Sequence, residues 1–259
     1  MNNPLFHHKQ GKLRVAGLIS GSGKSLISIM ERQKQLEAVS NCNFEVVGIF
    51  SDNPRSKAAA VSEKYNIPVF VNDIRAFYLS RNQKMTDKET RQAFDQETVN
   101  FLTPLKPDIL VYAGYVWATT APLLEAFPAV NCHPADLSVE KDGHRLYAGA
   151  QGVRDALLAG ETKLCSSFHL VSAKVDHGPL LFISEPVAVE EDTDLDLNAR
   201  SIKYLRLLNE KSRQLCALGI EKISNGAFTV NANGQLTYQG EPIPKGYRLT
   251  IFEWSASGI

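Results

Sequence analysis

Cysteine is scarce in this chain. Four thiols, Cys42, Cys132, Cys165 and Cys216, are scattered over 259 residues without a C-x-x-C pair. That spacing argues against a zinc ribbon, a redox motif or a disulfide scaffold, and it fits a reducing cytoplasm. Net charge is missing as well. The 28 basic side chains balance the 28 acidic ones, so no strong field attracts nucleic acid or an anionic membrane. No apolar run approaches the length of a membrane span, and the N-terminal stretch lacks the apolar core of a signal peptide. Residues 1–11 read as a disordered tail. Its His7-His8 pair has no further ligands nearby in sequence, so no metal site is expected. Repeats, low-complexity tracts and Pro/Gly-rich linkers are also absent. What remains is 44% hydrophobic and 22% charged, enough apolar material for one sizeable core.

The first half alternates strand and helix signals. Leu13–Ser20 is a short apolar run suited to a buried strand. A Gly21-Ser-Gly23 turn follows, then a helix from Lys24 to Val39 with Leu26, Ile29, Met30 and Leu36 on one stripe. Phe44–Phe50 reads as a strand, Ser56–Lys64 as a helix, and Ile67–Val71 as another strand. Thr86-x-x-Glu89 has the form of a capping box opening a helix through Phe94, Phe101 and Leu102. A buried strand at Asp108–Gly114, a short helix at Ala121–Ala126 and a strand around Asn131 complete the half. Such β-α repetition calls for a parallel sheet with right-handed crossovers. Leu146–Leu158 and Asn198–Leu218 read as helices, the latter with Leu205, Leu208 and Leu215 on one face. Ser166–Val171 and Pro179–Pro186 read as paired strands, and Phe228–Tyr238 as a hairpin turning at Asn233-Gly234. The expected class is therefore α/β: a Rossmann-like, mostly parallel sheet flanked by helices, with a mixed C-terminal extension. The expected organisation is a domain over 12–225, with a hairpin and tail over 226–259 packed on it.

Two segments carry the chemistry. Asn131 and His133 are two residues apart in Ala129-Val-Asn-Cys-His-Pro134, which puts both on one face of a strand and Cys132 on the other. A nucleophilic Cys132 paired with His133 is disfavoured for that reason. Some forty residues on, Ser167-Phe-His-Leu-Val171 leads to Val175-Asp-His-Gly178. Asn131, His133 and Asp176 together form an acid–base set of the kind strand ends assemble. Taken singly, His133 is equally a satisfied buried histidine and Asp176 a turn-capping residue. The loop Ser20-Gly-Ser-Gly-Lys-Ser25 invites comparison with a P-loop. Counting back from Gly23, however, the first position of that pattern is Leu18, and Gly17 is one place too far out. The preferred reading is a short Gly loop that holds an anion on backbone N–H groups, helped by Lys24 and Ser25.

These residues resemble the folate-dependent formyltransferase family over roughly Lys12 to Gln239. The resemblance is carried by Leu18–Leu26, Asp108–Tyr115, Asn131-Cys-His-Pro134, Ser167–Val171 and Val175-Asp-His-Gly178, in order and at suitable intervals. It implies transfer of a formyl group from 10-formyltetrahydrofolate to an amine, with glycinamide ribonucleotide of purine biosynthesis as the default acceptor. Asn131 and His133 would stabilise the oxyanion and Asp176 would assist proton transfer, with Ser167 and His169 behind it. Gly21, Ser22, Gly23, Lys24, Ser25 and Arg91 would meet the acceptor's phosphate or carboxylate. Folate would lie between Tyr115–Thr119 and Ala173–Gly178, against Tyr115, Val116, Trp117, Val175 and Gly178. A small-molecule amine and folate would be the partners of a cytoplasmic monomer or homodimer, with no nucleic acid, membrane or metal.

The chain departs from the family at two places. His133-Pro-Ala-Asp-Leu-Ser138 lacks the family's second proline, and the following loop, with Asp142, His144, Arg145 and Tyr147, is more charged. The phosphate loop also differs. Other acceptors stay open on this account: water, an amino sugar nucleotide, or none in a folate- or nucleotide-binding module without the chemistry. A tRNA acceptor is disfavoured by the neutral charge.

Overall fold

The computed structural model describes residues 3–5, 11–191 and 194–250; the His7-His8 pair lies outside them. The chain divides into two compact units, one over Phe6–Val130 and one over Asn131–Ile259 with Met1–Leu5. A short strand at the start, β1 (Asn3–Pro4), belongs to the second.

The first unit follows the expected alternation. Its elements are β2 (Leu13–Ile19), α1 (Lys24–Ala38), β3 (Phe44–Ser51), α2 (Ala58–Tyr65), β4 (Val69–Val71), α3 (Ile74–Ser80), α4 (Lys88–Leu102), β5 (Ile109–Tyr112) and α5 (Ala121–Ala126). The strands run parallel in the order β5-β2-β3-β4. β5 is buried along its whole length, as a strand covered on both faces should be. The stripe foreseen for α1 is buried residue for residue: Leu26, Ile29, Met30 and Leu36. Phe94 of α4 meets Phe77 and Phe50 edge-on, at centroid separations of 5.1 and 6.0 Å. Burying each such ring contributes about 1.5–3 kcal/mol. Two details differ from expectation. The cap of α4 is Asp87, whose carboxylate accepts from Thr90 N at 2.8 Å. The Thr86-Glu89 box is one residue out of register, because the carboxylate of Asp87 takes the capping place. Helix α3 was not foreseen. It is only seven residues long and is held by Asp73, which accepts from Arg75 N and Ala76 N.

Strand β6 (Ala129–His133) spans the boundary. The second unit then holds β7 (Glu140–Lys141), β8 (His144–Arg145), α6 (Gly152–Leu158), β9 (Lys163–Leu164), β10 (Ser167–Leu170), β11 (Leu180–Ile183), β12 (Val187–Ala188), α7 (Leu197–Ser224), β13 (Phe228–Val230), β14 (Leu236–Tyr238), β15 (Glu241–Pro242) and β16 (Tyr247–Arg248). β10 and β11 pair antiparallel, and β16 joins β11 in parallel. The expected hairpin is β13-β14, flanked by β15 and by β1, where Asn3 pairs with Val230. The residues before α6 are not helical: Tyr147 is buried outside the helix and Gly149 sits at φ 85°, so the helix starts at Gly152 rather than Leu146.

Helix α7 runs six residues beyond the expected end. Tyr204, Leu208 and Leu215 face the core, whereas Leu205 is exposed. The helix passes through Gly219 because its bare Cα lies against the Phe168 ring of β10; a Cβ there would sit 2.2 Å from that ring. A glycine that reads as a stop signal is here a close-packing device. Gly219→Val is expected to lower stability by about 1–3 kcal/mol through overpacking. Urea denaturation checks this, and an unchanged midpoint contradicts it.

Candidate active site

The second unit gathers the downstream chemistry. β6 ends at His133, whose ring is buried. Its Nε2 lies 2.8 Å from the carbonyl oxygen of Tyr147 and its Nδ1 lies 3.4 Å from Asp176 Oδ2. Asp176 is also buried, with Oδ1 3.5 Å from Nε2 of the equally buried His169. His169 Nδ1 is 2.8 Å from Leu170 O. The carboxylate gains a good hydrogen bond from the backbone N–H of Gly149, at 2.9 Å. Asn131, two residues before His133, is half-buried, and among the described residues no hydrogen bond engages its side-chain amide. The structure thus brings His133, His169 and Asp176 together and sets Asn131 on the same strand face as His133 by the period of the strand.

Charge follows from these contacts. Burial pushes the Asp176 carboxyl up, but His169, His133 and the Gly149 N–H together outweigh it and hold the group at about 2. Burial pushes the His133 imidazole below its ordinary value, with Asp176 and the Tyr147 carbonyl opposing in part. The Tyr147 carbonyl can only accept, so Nε2 carries the proton of the neutral ring. Nδ1 then faces an ionised carboxylate, and only a proton or a water between them satisfies both. At 3.4 Å the pair is too long for a strong direct bond. The arrangement is therefore poised to take up one proton at Nδ1 and to release it again.

Asp176 is itself strained: its φ is 54°, a conformation that costs a non-glycine residue about 1–2 kcal/mol. The turn has no slack at Gly178 either, where a Cβ would sit 1.8 Å from Leu170 O. Arg145 Nη1 donates to the Asp176 carbonyl oxygen at 2.6 Å.

Ser167 takes a different part from the one expected. Its hydroxyl donates to Ala135 O at 2.7 Å and accepts from Leu137 N at 2.9 Å. It anchors the turn after His133. Within the charged loop, Asp142 and His144 are exposed, whereas Tyr147 is buried and the Arg145 side chain is 10% exposed. Tyr147 Oη donates to Glu161 at 2.6 Å. Sequence reasoning missed the backbone contributions of Tyr147 and Gly149. Both are main-chain groups, which residue type does not mark.

The remaining expected residues lie in the first unit. Gly23 caps α1 at φ 64° with no side-chain cap, and Lys24 is exposed beside it, so the first-turn N–H groups of a 15-residue helix are open to an anion. Arg91 is buried. Its Nη2 donates to Asp95 Oδ1 at 2.6 Å and to Tyr115 Oη at 3.0 Å, while Nε and Nη1 have no hydrogen-bond partner among the described residues. Tyr115 is buried, and its hydroxyl supports Arg91. Val116 is 73% exposed, and Trp117 Nε1 donates to the buried Asp52 at 2.7 Å. In the second unit Val175 is exposed. Among the described residues no three His, Cys, Asp or Glu side chains converge as metal ligands, the cysteines form no disulfide, and no helix is long and apolar enough to cross a membrane.

Both titration shifts carry the same sign for stability. Each group's folded value lies below its unfolded one, so folding is weakened as protons are added. For Asp176 the stabilisation is present above the ordinary value of 3.8 and is lost as pH falls toward about 2. Wild type is expected to lose about 1 kcal/mol more than Asp176→Asn between pH 6 and pH 3. Urea melts at the two pH values test this, and parallel losses contradict it.

Comparison with known proteins gives the family. The family model described as formyl transferase matches residues 13–204. A phosphoribosylglycinamide formyltransferase of Mycobacterium tuberculosis is 27% identical over 231 residues, covering 88% of this chain and 96% of that protein. The solved phosphoribosylglycinamide formyltransferase of Brucella melitensis is 26% identical with a TM-score of 0.58, covering 82% of this chain and 96% of that one. That of Coxiella burnetii, at 18% identity, shares the fold with a TM-score of 0.70, covering 92% of this chain and 100% of that one. With a match over most of its length, the chain belongs to the formyl transferase family and is a formyltransferase of α/β fold, built on a mostly parallel sheet with flanking helices.

Proposed function

We propose that the chain transfers the formyl group of 10-formyltetrahydrofolate to the primary amine of glycinamide ribonucleotide, a step of purine biosynthesis. The observation that carries this reading is the buried His133–Asp176 pair at the end of the strand that also bears Asn131. The likeness to phosphoribosylglycinamide formyltransferases over 88% of the chain supports the acceptor.

The amine nitrogen attacks the formyl carbon, and the carbonyl oxygen becomes an oxyanion. Asn131 donates its amide N–H to that oxygen. His133, with Nε2 committed to Tyr147, takes the amine's surplus proton at Nδ1, directly or through water, beside the ionised Asp176. Nδ1–H is then loosely held and donates to the oxyanion. Collapse of the intermediate breaks the bond to the folate N10, and the same proton leaves with that nitrogen. Asp176 stabilises the imidazolium throughout. The acceptor's phosphate rests on Gly21–Ser25 with Lys24, and Arg91 turns Nε and Nη1, unpartnered among the described residues, to an anionic part of a substrate. Val116, Trp117, Val175 and Gly178 contribute to folate binding. A cytoplasmic location, and a monomeric or homodimeric state, accompany this reading.

Loss of the formyl donor, followed by absorbance against a panel of amines, tests the proposal. Turnover with glycinamide ribonucleotide is expected; turnover without any amine would instead identify water as the acceptor. Asn131→Ala is expected to lower kcat about 100- to 1,000-fold and Asp176→Asn to lower it about 10,000-fold, both with the fold intact. Lys24→Ala is expected to raise KM for glycinamide ribonucleotide about tenfold, the loss of one charged hydrogen bond, with kcat little changed. Normal turnover in the Asn131 or Asp176 variant refutes the mechanism, and an unaltered KM in the Lys24 variant refutes the phosphate site.

A further inference from the structure

The loop between Ser138 and Gly149 carries a short charged hairpin, and its geometry gives it a task. Asp142 and Gly143, at φ 51° and 75°, form the tight turn of a two-residue hairpin. The turn joins β7 to β8 and sets Glu140 opposite Arg145. The Arg145 side chain is 10% exposed, and its Nε lies 3.6 Å from Glu140 Oε1. A guanidinium so far from water is retained only with good partners. Its shortest contact is with the backbone carbonyl of Asp176, at 2.6 Å from Nη1, and not with a carboxylate.

That choice of partner is informative. Asp176 occupies a left-handed backbone conformation which a residue with a side chain keeps only when its surroundings hold it there. A donor locked onto its carbonyl fixes the peptide plane, and so fixes where the carboxylate points. The same short segment then supplies the Tyr147 carbonyl to His133 Nε2 and the Gly149 N–H to Asp176 Oδ2. Residues 145–149 thus grip both members of the pair. We propose that Arg145 is a positioning residue for formyl transfer, and that the β7-β8 hairpin exists to present it to the Asp176 turn. The inference rests on the catalytic reading of Asp176 given above.

Arg145→Ala tests it with two readouts. The first is steady-state formyl transfer to glycinamide ribonucleotide: kcat is expected to fall about 10- to 100-fold, as for other small misplacements of a reacting group, with both KM values unchanged. The second is the NMR titration of the His133 imidazole, which needs no substrate. Asp176, His169 and the Tyr147 carbonyl are the groups that face this ring. Removing Asp176's influence lowers its pKa, so Arg145→Ala is expected to move the His133 midpoint down, in the direction taken by Asp176→Asn. Arg145→Lys, which keeps the charge beside Glu140 with a shorter reach, is expected to be intermediate in both. It also serves if the alanine variant does not fold. An unchanged kcat, or a reduced kcat with an unmoved His133 titration, overturns the proposal. If wild type transfers no formyl group while the His133 midpoint still moves in the variant, the positioning claim stands and the assigned reaction falls.

Discussion

An ionised carboxylate held out of water between two imidazoles is the constraint on which the second unit turns. Burial alone would drive Asp176 to its neutral form; His169, His133 and one backbone N–H keep it charged. The same burial holds His133 toward neutrality. Charge on the acid thus comes from its partners and the loss of charge on the ring from burial, and together they leave room for a single proton at Nδ1. Much of the surrounding structure serves that balance. Ser167 fixes the turn after His133, the Tyr147 carbonyl assigns the tautomer, and Gly178 allows the turn to press against β10.

The parallel strands and the helices between them were legible in the sequence because burial on both faces produces apolar runs, and burial on one face produces a stripe. Leu13–Ile19 and the four buried residues of α1 are direct cases. The reading failed where a single tertiary contact overrides a local signal. Gly219 marks a helix end by propensity, yet the Phe168 ring makes it the only residue that fits mid-helix. Nothing in composition marks the boundary near Val130, since it falls inside a strand and not in a linker.

Of the site, the side chains were readable and the backbone was not. Asn131, His133 and Asp176 stand out by type and spacing. A carbonyl at Tyr147 and an N–H at Gly149 are carried by every residue and have no sequence signature. Arg91 shows the opposite limit. Its place on a helix suggests a solvated side chain, but the hydroxyl of Tyr115 and the carboxylate of Asp95 draw it inside. Long-range partners of this kind become visible only when the chain is folded.

If His133 and Asp176 act as one proton-handling unit, their contributions to catalysis are not independent. A double-mutant cycle on kcat/KM for formyl transfer, using His133→Ala, Asp176→Asn and the pair combined, measures this most directly. The account predicts that the combined variant is no slower than the worse of the two single variants. Losses that multiply in the combined variant would contradict it.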